Sequence, residues 1–197
     1  MTITRSLVER CAEEYRESEA LYAVERENVD LLPGAFARDD FGKRDAEWVV
    51  RWYYRRFLGA YPDADRRRIE EAFERNEFET VRGAILDAVD AVNADDAGVD
   101  DSVDVAAAVD RLTDLAGVDV PVASAFLAFI DPDRFIVVGE REWSVLREHG
   151  ELDEPYPEPV TVPEYERYLE TCRAVAERVD CDLYTLYQTL WRLWKAE

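Results

Sequence analysis

The sequence predicts an all-α protein, a bundle of helices packed around one core. Apolar residues recur at helical spacing along nearly the whole chain, and no set of alternating segments competes for strands. Stop and cap residues also fall between the periodic stretches. In the first stretch, 7–22, Leu7, Val8, Cys11, Tyr15 and Tyr22 form one stripe to bury. Leu32-Pro33-Gly34 should then stop the chain, because proline supplies no amide to a helix and glycine adds backbone entropy to be lost. A polar connector at 38–42 precedes a strong helix over about 44–58, ended by Gly59 and Pro62. Asp63 can cap a short helix through 73, and 78–92 reads as another.

The stretch 93–102 is rich in Ala, Asp and Gly and poor in apolar side chains. It is the one candidate boundary. The chain is expected to be a single domain, 1–197, with two lobes, 1–93 and 102–197, sharing a core as the alternative. Beyond it, 103–115 is a helix with Val105, Ala108, Val109 and Leu112 inward, and Gly117 breaks it. A second helix of small and apolar residues follows over 122–130, then a turn at Asp131-Pro132-Asp133, a short extended segment at 135–138, and a helix over 140–148. Thr161-Val162-Pro163-Glu164 is a capping box opening a helix to about 179, in which threonine and glutamate satisfy each other's orphan amides. The last helix, 183–194, carries Leu183, Leu186, Tyr187, Leu190, Trp191 and Trp194 on one face.

Hydrophobic residues make up 48% of the 197 positions, enough to exclude disorder throughout despite 35% charged residues. No apolar run approaches the roughly 20 residues that cross a bilayer. Arg5, Glu9, Arg10, Glu13 and Glu14 argue against a signal peptide, so the cytoplasm is the expected compartment. Asp and Glu number 45 against 24 Lys and Arg, a net charge of −21, and Lys43 and Lys195 are the only lysines. So much like charge costs stability in dilute salt. At molar salt the Debye length falls to about 3 Å and the repulsion is screened. The composition resembles that of salt-adapted, halophilic archaeal proteins, with the acids spread along the whole chain. The alternative is charge that repels or mimics nucleic acid. Cys11, Cys172 and Cys181 form no CxxC pair and are expected to be reduced. His149 is the single histidine, read as a helix-end residue. Zinc therefore has almost no ligands, and no metal or cofactor is expected.

The most informative stretch is Leu115-Ala116-Gly117-Val118-Asp119-Val120-Pro121-Val122-Ala123-Ser124-Ala125-Phe126-Leu127. A helix, a glycine turn and a second helix of small residues let two helices cross closely. The turn also offers amides and a helix N-terminus to a phosphate. The continuation is an apolar segment with Pro132, then Gly139-Glu140 and the helix with Trp143 and Leu146. Together these resemble the helix-hairpin-helix DNA glycosylase superfamily that includes endonuclease III, most strongly over 103–146. The resemblance implies an all-α fold with a helix-hairpin-helix element, DNA as a partner at high salt, and Gly117, Val118, Asp119 and Val120 at a DNA phosphate. It also brings departures. The family's catalytic aspartate falls on Gly139, and the neighbouring Glu140 takes its place only if the turn is rotated. The lysine nucleophile of bifunctional members falls on Pro121, which has no amine. The second hairpin glycine falls on Asp119, and no four-cysteine cluster follows for an iron–sulfur centre.

A second constellation lies on the helix from 44. At about 100° per residue, Arg44, Trp48, Arg51 and Arg55 share one face, opposite Val49, Val50, Tyr53 and Phe57. Such a stripe fits phosphates with a ring stacked on a base, or arginines paired with the abundant carboxylates over Trp48. Glu140 is read either as a catalytic carboxylate or as an acid favoured by its helix dipole. Three functions follow. The chain is a DNA-binding or DNA-repair protein of glycosylase type, a non-enzymatic descendant that binds a protein or small ligand, or an unrelated helical interaction module. The missing aspartate and lysine favour the second over an active enzyme.

Overall fold

The computed structural model describes residues 2–57, 59–93 and 104–196, and among these it contains ten helices and no strand. α1 (Arg5–Ser18) buries Val8, Cys11, Ala12 and Tyr15 and packs along α10 (Leu183–Ala196). The helix expected over 7–22 ends at Ser18, and a new one, α2 (Tyr22–Ala37), begins at Tyr22. The expected stop at Pro33 does not occur, because α2 runs through it. Proline removes one ladder bond there, while Leu32 and Phe36, one turn apart, are both buried. Burial of those two side chains outweighs the local cost.

α3 (Lys43–Arg55) turns its apolar side inward, with Ala46, Val49, Val50 and Tyr53 buried. α4 (Asp63–Glu74) has Pro62 rather than Asp63 at its N-cap, and Asp63 instead pairs with Arg66. α5 (Phe78–Asn93) and α6 (Val105–Thr113) pack together. The candidate boundary from 94 to 102 lies outside the described residues. α7 (Val120–Ile130) is the centre of the bundle, buried on nearly every side and in contact with α2, α3, α5, α6 and α9 (Val162–Val179). Its Ala123, Ser124 and Ala125 are fully buried, which lets neighbouring helices approach closely. In the capping box of α9, Glu164 accepts the Thr161 amide at 2.7 Å.

Between α7 and α8 (Glu140–Glu148) the chain is extended and buried from Phe135 to Gly139. Buried backbone outside a sheet must find partners elsewhere. Here the carbonyls of Ile136, Val137 and Val138 accept the hydroxyls of Tyr165 (3.2 Å), Tyr168 (3.0 Å) and Tyr53 (3.3 Å). The Val138 amide donates to Ser124 Oγ at 3.0 Å. Four side chains from α3, α7 and α9 thereby fix where α8 starts. His149 stands at the C-cap of α8.

Candidate active-site cleft

The helix-hairpin-helix turn is pinned to α4. Gly117 has φ +82°, and a Cβ there would lie 2.7 Å from the Ile69 carbonyl oxygen and 3.0 Å from the Phe73 nitrogen. Only glycine satisfies both the left-handed backbone and that approach. Asn76 closes the turn, its Oδ1 accepting the Ala116 amide at 3.1 Å and its Nδ2 donating to the Ala116 carbonyl at 3.0 Å. Pro121 falls in the first turn of α7, where its missing amide costs nothing.

The turn does not present the row of amides expected at a phosphate. The Val118 amide is bonded to the Leu115 carbonyl at 3.1 Å. Asp119 caps α7, its carboxylate accepting the Val122 amide at 3.0 Å, so an acid already holds the helix N-terminus. Burial pushes the Asp119 carboxyl above its usual range. Val118 is buried and Val120 half-buried.

Beside the turn opens a cleft of about 450 Å³. Asp119 at the N-cap of α7 and Pro121 in its first turn meet Glu140 and Arg141 from α8 on its walls, with Tyr53 and Tyr54 from α3 and Phe57 just beyond it. Tyr61 and Pro62 close one side and the segment 156–160 the other. The cleft thus joins the two positions that the resemblance gives to the chemistry, Pro121 and the Gly139-Glu140 turn, although 18 positions of chain separate Pro121 from Gly139. Burial raises the phenols of Tyr53, Tyr54 and Tyr156, which keeps them neutral hydroxyls. Glu140 is exposed at the α8 N-terminus.

Gly139 is glycine for want of space. A Cβ would fall 2.5 Å from Glu142 Oε2 and 2.7 Å from Arg56 Nη2. These belong to an ion pair that the sequence reading missed, in which Arg56 donates to Glu142 with the two residues 2% and 0% exposed. The Arg56 guanidinium also lies 4.8 Å from the ring centres of Tyr53 and Phe57. Burial opposes its charge, yet Glu142 prevails and holds it well above the ordinary arginine range. One signal was available: Arg56 continues the inward stripe of Val49 and Tyr53 at helical spacing.

The other expected residues stand elsewhere. Arg44 is exposed. Trp48 packs edge-on against Phe129 at 5.1 Å and stacks on Trp52 at 6.3 Å. Arg51 pairs with Glu74 at 2.7 Å and Glu47 at 3.2 Å, and Arg55 with Glu70 at 3.6 Å. None of these four lines the cleft; Arg55 lines a neighbouring hollow of about 280 Å³ with Tyr54, Tyr61 and Arg66. Among the described residues no group of His, Cys, Asp and Glu is placed to hold a metal ion. No described helix is long and apolar enough to cross a membrane.

No family model and no curated protein matches the chain. Among solved structures it is similar to the 8-oxoguanine glycosylase/lyase of Methanocaldococcus jannaschii, crystallised in complex with a 15mer DNA containing 8-oxoguanine. The two are 19% identical with a TM-score of 0.50, over 95% of this chain and 97% of that one. The likeness is one of fold: this chain has the all-α architecture of that glycosylase.

Proposed function

We propose that the cleft receives a nucleobase extruded from DNA, and that the protein is a DNA-binding, DNA glycosylase-like protein without lyase chemistry. The observation that carries this reading is the meeting of Pro121 and Glu140 on one aromatic-lined cleft. Such rings stack on any base, and enzymes that act on bases take them out of the duplex. A lyase step needs an amine to form the covalent intermediate, and Pro121 has none. Base release by hydrolysis needs a carboxylate near the anomeric carbon, and Glu140 is the exposed acid on that wall. The net charge of −21 makes DNA a partner at high salt, and a cytoplasm at molar salt is its setting.

The test is a single-turnover screen of damaged and undamaged oligonucleotides in molar potassium chloride, with alkali used afterwards to reveal abasic sites. Expected are weak binding, no strand nicking before alkali, and slow base release that Glu140→Gln reduces by roughly 10²–10⁴. Nicking without alkali would show an amine nucleophile and overturn the reading. Fast excision untouched by Glu140→Gln would move the active site elsewhere. A second reading, a non-enzymatic ligand-binding or protein-binding descendant of this fold, is favoured by the ion-paired Arg51 and Arg55 and by the acid-capped hairpin. Binding of a base without release from any oligonucleotide would select it.

A further inference from the structure

The geometry points to an anion site at the mouth of the cleft: Arg141 and the first turn of α8 take the phosphate of a nucleotide whose base lies among the tyrosines. The nucleotide identity rests on the base-binding reading above; the anion site rests on its own observations. In a protein with 45 acids, each other buried or half-buried arginine among the described residues has a carboxylate or carbonyl oxygen as partner. Arg141 is half-buried and touches only rings, Trp194 at 3.6 Å, Phe57 at 4.5 Å and Trp191 at 5.1 Å from the ring centres. A guanidinium lying over a ring spends its face there and keeps its in-plane N–H donors, the edge that matches a phosphate. Burial disfavours its charge, so an arriving anion would regain what desolvation took.

One further feature backs it. The N-cap of α8 is Gly139, which has no side chain to satisfy the first amides of the helix. Arg56 and Glu142 behind Gly139 cancel as a pair, and Arg141 is the one cation among the residues lining the cleft, where Asp119, Glu140 and Glu158 are the acids. Glu140 is the acid beside it on the same wall, so a nucleotide with its phosphate at Arg141 has its sugar towards Glu140, as the proposed function requires.

The experiment is calorimetric titration of the full chain, in the lowest potassium chloride that keeps it folded, with three probes: 2′-deoxyadenosine, its 5′-monophosphate and inorganic phosphate. The monophosphate should bind about tenfold tighter than the nucleoside. Arg141→Gln should erase that preference. Arg147→Gln, the same charge change at an exposed arginine of the same helix, should preserve it. A preference that survives Arg141→Gln, or that Arg147→Gln abolishes equally, overturns the site. Nucleoside binding with no gain from phosphate also overturns it and leaves the base cleft standing. Arg141-dependent binding of phosphate without nucleoside binding keeps the anion site and removes the base cleft.

Discussion

Placing an aspartate at 139, where the resemblance puts the acid of active glycosylases, should damage the protein rather than revive it. Gly139 has φ −160°, an extended conformation open to any residue, so backbone strain plays no part. Space decides. Even the Cβ of Gly139→Ala would sit 2.5 Å from Glu142 Oε2 and 2.7 Å from Arg56 Nη2. Ends of long side chains often yield, but these are buried, and the guanidinium has five aromatic rings within 6 Å. Overpacking of that kind costs about 1–3 kcal/mol. For a chain of this size it lowers the melting midpoint by about 2–4 °C per kcal/mol. Gly139→Asp adds a second carboxylate beside Glu142 and should cost several kcal/mol more.

Moving the acid tests the reasoning further. In Gly139→Asp combined with Glu142→Ala, one carboxylate again faces Arg56, and the nearer of the two crowded atoms, Glu142 Oε2, is gone. The double variant should be more stable than the sum of the two single changes by about 1–3 kcal/mol. Thermal melts of all four proteins in molar potassium chloride measure it. A midpoint for Gly139→Ala within about 1 °C of the parent, or strict additivity in the double variant, would refute the claim that the ion pair fills the place of the missing side chain.

Three other outcomes are expected. Gly117→Ala should cost about 2–5 kcal/mol from left-handed backbone plus collision with α4, whereas Gly150→Ala, at φ +76° with nothing within 4 Å, should cost only the conformational share of about 1–2 kcal/mol; equal losses in melts would remove the α4 contact as the reason for Gly117. The melting midpoint should rise from dilute to molar salt because −21 of charge is screened, and a flat or falling midpoint would end the salt-adaptation account of the composition. Glu25 accepts Tyr184 at 2.7 Å and Trp52 at 2.8 Å, and burial pushes its carboxyl above 4.5. A raised folded pKa gives stability that is full below the unfolded value and lost as pH rises through the folded one. As pH rises beyond the ordinary carboxylate range the parent should therefore lose stability relative to Glu25→Gln, and parallel denaturation curves would contradict it.

What was legible in the sequence was local. The bounds of α8, the capping box of α9 and the break at Gly117 follow from residues within a turn of one another, and each stands where it was read. The helix through Pro33 was not legible, because its reason is the burial of Leu32 and Phe36 against distant helices. The site divides in the same way. The hairpin was singled out by its glycine and small residues and Glu140 through the resemblance, and the fold brings them to one cleft. Arg56 and Glu142 are 86 positions apart, and nothing near either one announces the other. Arg141 reads in sequence as one more charge on an acidic helix, and only the rings of Phe57 and α10 set it apart. The same distinction governs the chemistry. The positions that the resemblance gives to the chemistry look empty when read one at a time, as Gly139 and Pro121. In space the volume beside the first is filled by an arginine and a glutamate from elsewhere. On the proposed reading, the chemistry of the cleft must come from the groups on its walls: Glu140, Asp119 and Arg141.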